Sequence, residues 1–382
     1  LLRVVNTGSL AYYNFAIAGH TMLLVGADGH SIQTQELSSI DIGPGCRIEV
    51  IIKANKQPVY PIGSTQTYSY IMRAQTDWRG VDNTPSGIGW GYLTYVAPDK
   101  TSGTISTISS IIPPNESREW NVWNSLLLAN TSSSTYHKPP SNNKVNKKFV
   151  FTLQQEYVNK KTGLAYTPSI GLPSSSNLIT SDMILAWTMN GVRLNMPTTP
   201  YLLERYLDKL EGKTFEDDGS STFRLEINDI VDVTIQNSVA GNGVCEQHPW
   251  HLHGIDFWLV GQGEGKFLGS TSELTYNTIN PPLLDSVTGY PSNYSNRRGA
   301  TTHTPGTWLS PCGWITIRFE VTNPGMWLFH CHVAWHATMG MAVVFDAASE
   351  LVGKYPDDME LCGSAPERIA ALSNNNNNSN NE

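Results

Sequence analysis

The run Asn323-Pro324-Gly325-Met326-Trp327-Leu328-Phe329-His330-Cys331-His332 decides how the chain is read. Side chains in a strand point to alternate faces with a period of two. If this run is a strand, His330 and His332 share one face and Cys331 occupies the other. One strand then serves two sites, with a thiolate turned into the domain and an imidazole pair turned out of it. Upstream, His248-Pro249-Trp250-His251-Leu252-His253-Gly254 places His251 and His253 on one face by the same rule. The chain of 382 residues has only 10 His, yet seven of them fall between His248 and His336, so their concentration marks a site.

Around these runs, short apolar-rich stretches recur between Gly, Pro, Asn and Asp. Arg47-Ile48-Glu49-Val50-Ile51-Ile52, Lys148-Phe149-Val150-Phe151-Thr152-Leu153 and Trp314-Ile315-Thr316-Ile317-Arg318-Phe319 are examples. Their density predicts an all-β protein of sandwiches or barrels. Charged residues make up 15% of the chain, against ~25% in an average soluble protein, and 32 Gly, 22 Pro and 37 aromatic residues (11 Trp, 16 Tyr, 10 Phe) exclude disorder and coiled coil. The net charge of -8, with no basic tract, argues against nucleic acid as a partner. No run approaches ~20 apolar residues, so no membrane span is expected.

At ~150 residues per domain the length predicts two to three domains. The texture places a first domain at 1–105 and a Ser-, Asn-, Pro- and Thr-rich linker at 106–147 with an aromatic anchor at Trp120 and Trp123. A second domain at 148–350 and a tail at 351–382 follow. The tail holds the low-complexity run Asn374 to Asn378, which cannot build a core. One helix is expected in the second domain. Thr199 caps it, Pro200 takes its first position, and Leu202, Leu203, Tyr206, Leu207 and Leu210 form an apolar stripe before Gly212. Gly261-Gln262-Gly263-Glu264-Gly265 reads as a hairpin turn.

The inner donor set selects a metal by ligand type. Cys331, with His336 five residues on, Met341 ten on and His248 from a distant segment, offers one thiolate, two imidazoles and a thioether. That set describes a blue-copper centre, with Cys and two His in a plane and a weak axial Met. Zinc also takes Cys and His, but Met is a poor zinc ligand and adjacent His-Cys-His is not a finger spacing.

With these residues in view the sequence resembles the multicopper oxidases, in particular the ascorbate oxidases and fungal laccases. Asp256-Phe257-Trp258-Leu259-Val260-Gly261 continues the first run as that family does, and Trp335-His336 and Gly340-Met341 continue the second. Asn14-Phe15-Ala16-Ile17, Gly19-His20 and Ala27-Asp28-Gly29 resemble part of the family's second domain. The resemblance runs from about residue 1 to 350. It implies two cupredoxin-like Greek-key domains, the family's second and third. It implies type 1 copper at His248, Cys331, His336 and, axially, Met341. His251 would bind type 2 copper, and His253, His330 and His332 the type 3 pair. Electrons would cross from Cys331 to His330 and His332, and dioxygen would be reduced to water. Trp187, in Ala186-Trp187-Thr188-Met189-Asn190, resembles a position near the ascorbate-oxidase pocket. Trp187, Trp335 and His336 are therefore the expected reductant-binding residues.

The chain departs from the family in three ways. Such a cluster uses eight His and this chain offers four, because no His-x-His pair precedes His248 and His20, His30, His137 and His303 are isolated. A first cupredoxin domain is expected as a separate chain or missing segment. The opening Leu1-Leu2-Arg3-Val4-Val5, which reads as mid-strand, predicts a piece of a longer precursor. Ala334 stands where relatives often carry an acid that helps relay protons, and Glu246 is the candidate substitute. Ile255 stands where close relatives often carry His. The five Cys are an odd number. Cys362 resembles a Cys that ascorbate-oxidase-like proteins bond to the first domain. Cys245 and Cys312 are candidates to pair with each other, and Cys46 either bonds the missing domain or stays a buried thiol.

Sequons at Asn115, Asn130, Asn293 and Asn377, with the low charge, predict an extracellular glycoprotein. The expected activity is one-electron oxidation of a small ascorbate- or phenol-like reductant coupled to dioxygen reduction. A ferroxidase is the alternative and needs carboxylates at the type 1 edge, with Asp285 and Glu264 available. A type 1 electron-transfer protein without oxidase activity is the other.

Overall fold

Alternation of apolar side chains, the property expected of half-buried strands, is met from the start of the chain. In Tyr12–Ile17 the residues Tyr12, Asn14 and Ala16 are buried while Tyr13 and Phe15 are only partly so, and Met22–Ala27 repeats the pattern. The computed structural model describes residues 1–55, 68–77, 87–95, 128–132, 136–166, 179–213, 221–241, 245–289, 309–353, 356, 358 and 361–371. Trp120, Trp123, His303 and the sequons at Asn115, Asn293 and Asn377 lie outside the described residues.

The first eight strands are β1 (Leu2–Val5), β2 (Tyr12–Ile17), β3 (Met22–Ala27), β4 (His30–Leu37), β5 (Ser39–Ile42), β6 (Arg47–Ile52), β7 (Tyr68–Asp77) and β8 (Ile88–Tyr95). They form two four-stranded sheets, ordered β1-β6-β3-β4 and β5-β2-β7-β8. Eleven more follow: β9 (Lys147–Asn159), β10 (Met183–Met189), β11 (Thr222–Leu225), β12 (Ile230–Ser238), β13 (His248–Leu252), β14 (Phe257–Gly263), β15 (Leu283–Leu284), β16 (Ser286–Gly289), β17 (Pro311–Glu320), β18 (Gly325–Cys331) and β19 (Ala342–Ala347). They form a six-stranded sheet, β10-β9-β12-β17-β14-β15, and a five-stranded sheet, β11-β19-β18-β13-β16. The protein is all-β, as expected. Its neighbours cross over in sequence, with β12 parallel to β9 and β11 parallel to β19, which a simple meander cannot produce.

β12 is buried along its whole length although it reads Ile-Val-Asp-Val-Thr-Ile-Gln-Asn-Ser. Its period of two resolves the conflict. Val231, Val233 and Ile235 join the main apolar core, which runs from β2 to β19. The alternate residues Asp232, Thr234 and Gln236 are polar and paired. Asp232 takes a bidentate pair from Arg318 (2.6 and 2.8 Å), Thr234 pairs with Thr316 (2.8 Å), and Gln236 donates to the Gly265 and Gly313 carbonyls. Buried polar groups persist only when so paired.

Helix α1 (Tyr201–Leu210) forms where expected, but two details differ. Thr199 does not cap it; its hydroxyl accepts from the Ser364 backbone instead (2.9 Å). Only Leu203 and Leu207 of the stripe are buried, and Leu210 is exposed. The buried pair packs on Ala365, Leu361 and Ile369, so the tail does contribute to a small core through a helix at 365–371. Arg368 on that helix binds Glu204, Asp208 and Glu211 of α1 and its C-cap, which holds the two together. The glycine run at 261–265 is not a hairpin: Gly261 to Gly263 belong to β14, and a Cβ at Gly261 or Gly263 would strike Tyr276 (2.6 Å) or Trp314 (2.7 Å). Glycine is required there by close packing against aromatic rings. Two short helices remain, α2 (Ser270–Glu273) and α3 (Ala334–Thr338).

Candidate metal centre

Strand register builds the site. β13 and β18 pair so that Trp250 faces Cys331 and His251 faces His330. Directly opposed residues lie ~4.5–5.5 Å apart at Cβ, so two imidazoles meet across one ladder. Cys331 is fully buried on the other face, while His330 and His332 are only partly buried. After β18 the chain turns into α3, which returns His336 beneath Cys331. Two backbone bonds close this turn, from Cys331 N to the Met341 carbonyl (3.1 Å) and from Met341 N to the His336 carbonyl (3.0 Å).

The inner set is His248, Cys331 and His336, all buried, with donor atoms within 4.8 Å of one another. Cys331 Sγ lies 3.8 Å from His248 Nδ1 and 3.6 Å from His336 Nδ1. A metal with bonds of about 2.0–2.3 Å in a trigonal plane spaces its donors by about 3.5–4 Å. Both sulfur–nitrogen distances meet that requirement, while the two nitrogens, 3.0 Å apart, must part slightly. The donor chemistry of one thiolate and two imidazoles fits copper. Met341 is buried and tied to this turn by its backbone.

On the outer face four imidazoles gather. Ring centres are 5.0 Å apart for His251 and His253, 5.1 Å for His253 and His330, and 5.7 Å for His330 and His332. His251 Nδ1 donates to the Asp285 carbonyl (2.7 Å) and His330 Nδ1 to the Cys331 carbonyl (2.9 Å). A carbonyl only accepts, so in both rings Nδ1 carries the proton and Nε2 keeps its lone pair for a metal. Burial, with smaller contributions from His253, His251 and His332, pushes His330 down to about 4 against the opposing bond to Cys331. Burial also lowers His253 and His332. The neutral imidazole is the ligating form, and a group of four imidazoles suits copper.

The remaining expected residues sort themselves by burial. Trp335 is 64% exposed beside His336. Trp187 is 1% exposed, and its ring lies 4.9 Å from His248 and 5.0 Å from His336. It backs the two imidazoles from inside and does not form an open wall for a reductant, because its strand turns it into the core. Glu246 Oε2 lies 3.4 Å from His336 Nε2. Its backbone is held by Asn237 (2.7 Å) next to the Cys245–Cys312 disulfide. This places Glu246 at the thiolate site, not at the imidazole face where a proton-relaying substitute for Ala334 would have to stand. Cys46 is a buried thiol pushed up to about 12, chiefly by burial, and Cys362 is an exposed thiol.

Several supporting residues were not legible in the sequence. Asp285, which the sequence offered as an available carboxylate without placing it, stands at His251 and takes both guanidinium arms of Arg47 at 2.6 Å. Asp28 accepts from Arg47 N and from Ser286 N and Oγ. Arg47 meets Asp285 across 238 residues and Asp28 meets Ser286 across 258, and no local pattern announces either contact. Glu264 is exposed beyond β14. Among the described residues no helix is long and apolar enough to cross a membrane.

Family models described as multicopper oxidase match residues 1–86 and 189–350. The chain is 29% identical to an L-ascorbate oxidase of Cucurbita pepo var. melopepo, with 96% of this chain and 60% of the relative covered. An L-ascorbate oxidase of Cucurbita maxima is 30% identical, with 96% and 57% covered. A laccase structure from Botrytis aclada superposes with a TM-score of 0.62 at 21% identity, covering 99% of this chain and 55% of the laccase, a likeness of fold. The chain thus spans between half and two thirds of the length of these relatives. With the paired histidine- and cysteine-bearing runs that meet at β13 and β18, these matches show that the chain belongs to the multicopper oxidase family.

Proposed function

We propose that Cys331, His248, His336 and Met341 would hold a type 1 copper. In the same reading His251 serves type 2 copper, and His253, His330 and His332 serve the type 3 pair of a trinuclear cluster. One observation carries this reading: adjacent residues of β18 supply both donor sets, so one stretch of backbone joins the two sites. Bound copper supplies one-electron exchange at the thiolate and reduction of dioxygen to water at the cluster. The chain's own residues do the rest. Burial keeps water from Cys331, and Trp187 fixes the planes of His248 and His336. The His330 bond to the Cys331 carbonyl adds a hydrogen-bonded link to the covalent one between the two donor sets.

The reductant meets the chain at the Nε2 edge of His336. Exposed Trp335 offers a flat apolar face there, and Glu246 an acceptor for a hydroxyl. That pair suits a small ascorbate- or phenol-like molecule. The other four imidazoles of the cluster come from a first cupredoxin domain, on a separate chain or segment, to which the exposed Cys362 thiol is free to bond. The working protein is secreted. Glu246 also favours a second reading, oxidation of ferrous iron, because a hydrated cation seeks oxygen ligands.

The test is copper-loaded native material assayed for blue absorption and for dioxygen uptake with ascorbate, a phenol and ferrous iron in turn. Blue colour with uptake on the organic reductants is expected. Uptake on iron alone selects the ferroxidase, and blue colour with one copper and no uptake leaves an electron-transfer protein. Cys331→Ser should abolish both colour and oxidation. Retained colour would move the thiolate site elsewhere.

A further inference from the structure

The imidazole face is formed by β13 and β18, yet it is pressed from outside by a turn among the first eight strands. The residues between β5 and β6, Gly43 to Cys46, continue into Arg47, the first residue of β6. The turn is pinned on both sides by Asn6. Gly45 N donates to the Asn6 carbonyl (2.9 Å), Asn6 N to the Cys46 carbonyl (3.2 Å), and Asn6 Nδ2 to the Ile42 carbonyl (2.8 Å). Gly45 has φ +81°, and a Cβ there would lie 2.4 Å from Cδ2 and 2.6 Å from Nε2 of His332. Only glycine combines that backbone with that approach. The His332 ring therefore rests against the Gly45 backbone.

Arg47 reaches the second imidazole indirectly. Its guanidinium grips both oxygens of Asp285, and its Nη1 also bonds the Gly45 carbonyl (3.2 Å). The Asp285 carbonyl is the acceptor that holds His251 Nδ1. Asp28 closes the circuit, with one carboxylate oxygen on Arg47 N and the other on Ser286, the neighbour of Asp285 and the cross-strand partner of His251. The β5–β6 turn thus touches one outer imidazole directly and braces the carbonyl that sets the tautomer of another.

We infer that Gly45 and Arg47 are positioning residues that fix His332 and His251 of the imidazole face in their metal-binding orientation. The inference rests on the proposed use of that face for copper. Groups behind first ligands commonly change metal affinity by about 10–100-fold when removed. A bidentate Arg–carboxylate fork is geometrically specific, so lysine at 47 keeps the charge and loses the grip.

The experiment titrates the full chain with Cu(II) alone and reads two signals. Thiolate absorption reports Cys331, and an all-nitrogen EPR signal reports the imidazole face. Arg47→Lys and Gly45→Ala should weaken copper at the imidazole face about tenfold or more and leave the blue absorption unchanged. Ile48→Val, buried in the same strand and touching neither histidine, serves as the control for lost stability. Equal affinity in wild type and Arg47→Lys, or the same loss in Ile48→Val, would overturn the inference, as would a wild-type chain with no copper at the imidazole face. If Gly45→Ala fails to fold, Arg47→Lys carries the test by itself. Absence of blue absorption with an intact, Arg47-dependent EPR signal would instead remove the type 1 reading and leave this one standing.

Discussion

His330 shows how one side chain couples packing to chemistry. Its depressed folded value of about 4 means that the unfolded chain takes up a proton below about 6.5 while the folded chain does not. Its contribution to stability is therefore complete above pH 6.5 and is lost as pH falls through about 4. Asp28 acts in the opposite sense. Burial, then Asp285, raise it to about 6, so its contribution is lost as pH rises through that value. Because the two oppose each other in a stability curve, the direct measurement is an NMR titration of the His330 ring in the metal-free chain. A midpoint near 4 is expected, and an ordinary value near 6.5 would contradict the packing. Glu246 makes a second residue-scale prediction. Glu246→Gln keeps its shape and removes the charge beside His336. Hydrogen bonds to charged groups contribute about 1.5–3 kcal/mol, so kcat/KM for a hydroxyl-bearing reductant should fall about tenfold or more with blue absorption intact. Unchanged kinetics would remove Glu246 from the reductant edge.

Elements hold where polar positions inside a strand find partners on the next. β12 and β17 make the clearest case, with Asp232 and Arg318 directly opposed in register and both buried. Arg318 also donates to the Pro140 carbonyl and to Asn142, which ties the segment leading into β9 to the sheet. Breaking a buried pair by removing one partner leaves an uncompensated charge and costs about 3–5 kcal/mol. Asp232→Ala should lose that much in urea unfolding, whereas a loss below about 1 kcal/mol would mean that water reaches Arg318. The aromatic cluster of Phe149, Phe151, Phe223 and Phe345 fills the space between the two larger sheets.

Across the whole molecule the thiolate site depends on a covalent brace. Cys245 and Cys312 are bonded across 67 residues, joining the approach to β13 with β17. Glu246 and His248 follow immediately. Closing a loop of that length stabilises by about 2–4 kcal/mol. Replacing both cysteines by serine should lower the unfolding free energy by that amount. It should also broaden the blue absorption, since His248 and Glu246 lose their anchor. An unchanged spectrum would show that β13 pairing alone holds the site.

The two-faced strand at His330, Cys331 and His332, the donor types and the all-β class were legible because alternation is a local property of an extended chain. The helix at Tyr201 was legible for the same reason, through its 3.6-residue stripe. Thr199 was misread as a cap, and Trp187 and Glu246 could be read either as packing and loop residues or as site residues, because burial and partner choice depend on which strands become neighbours. Gly45, Arg47, Asp28 and Asp285 were invisible as supports, since Arg47 meets Asp285 across 238 residues and Asp28 meets Ser286 across 258. By itself the sequence determined which side chains share a face and which metal chemistry they suit. Only the tertiary structure decided what stands behind each imidazole, because crossover connections, and not local periodicity, bring distant turns to the same place.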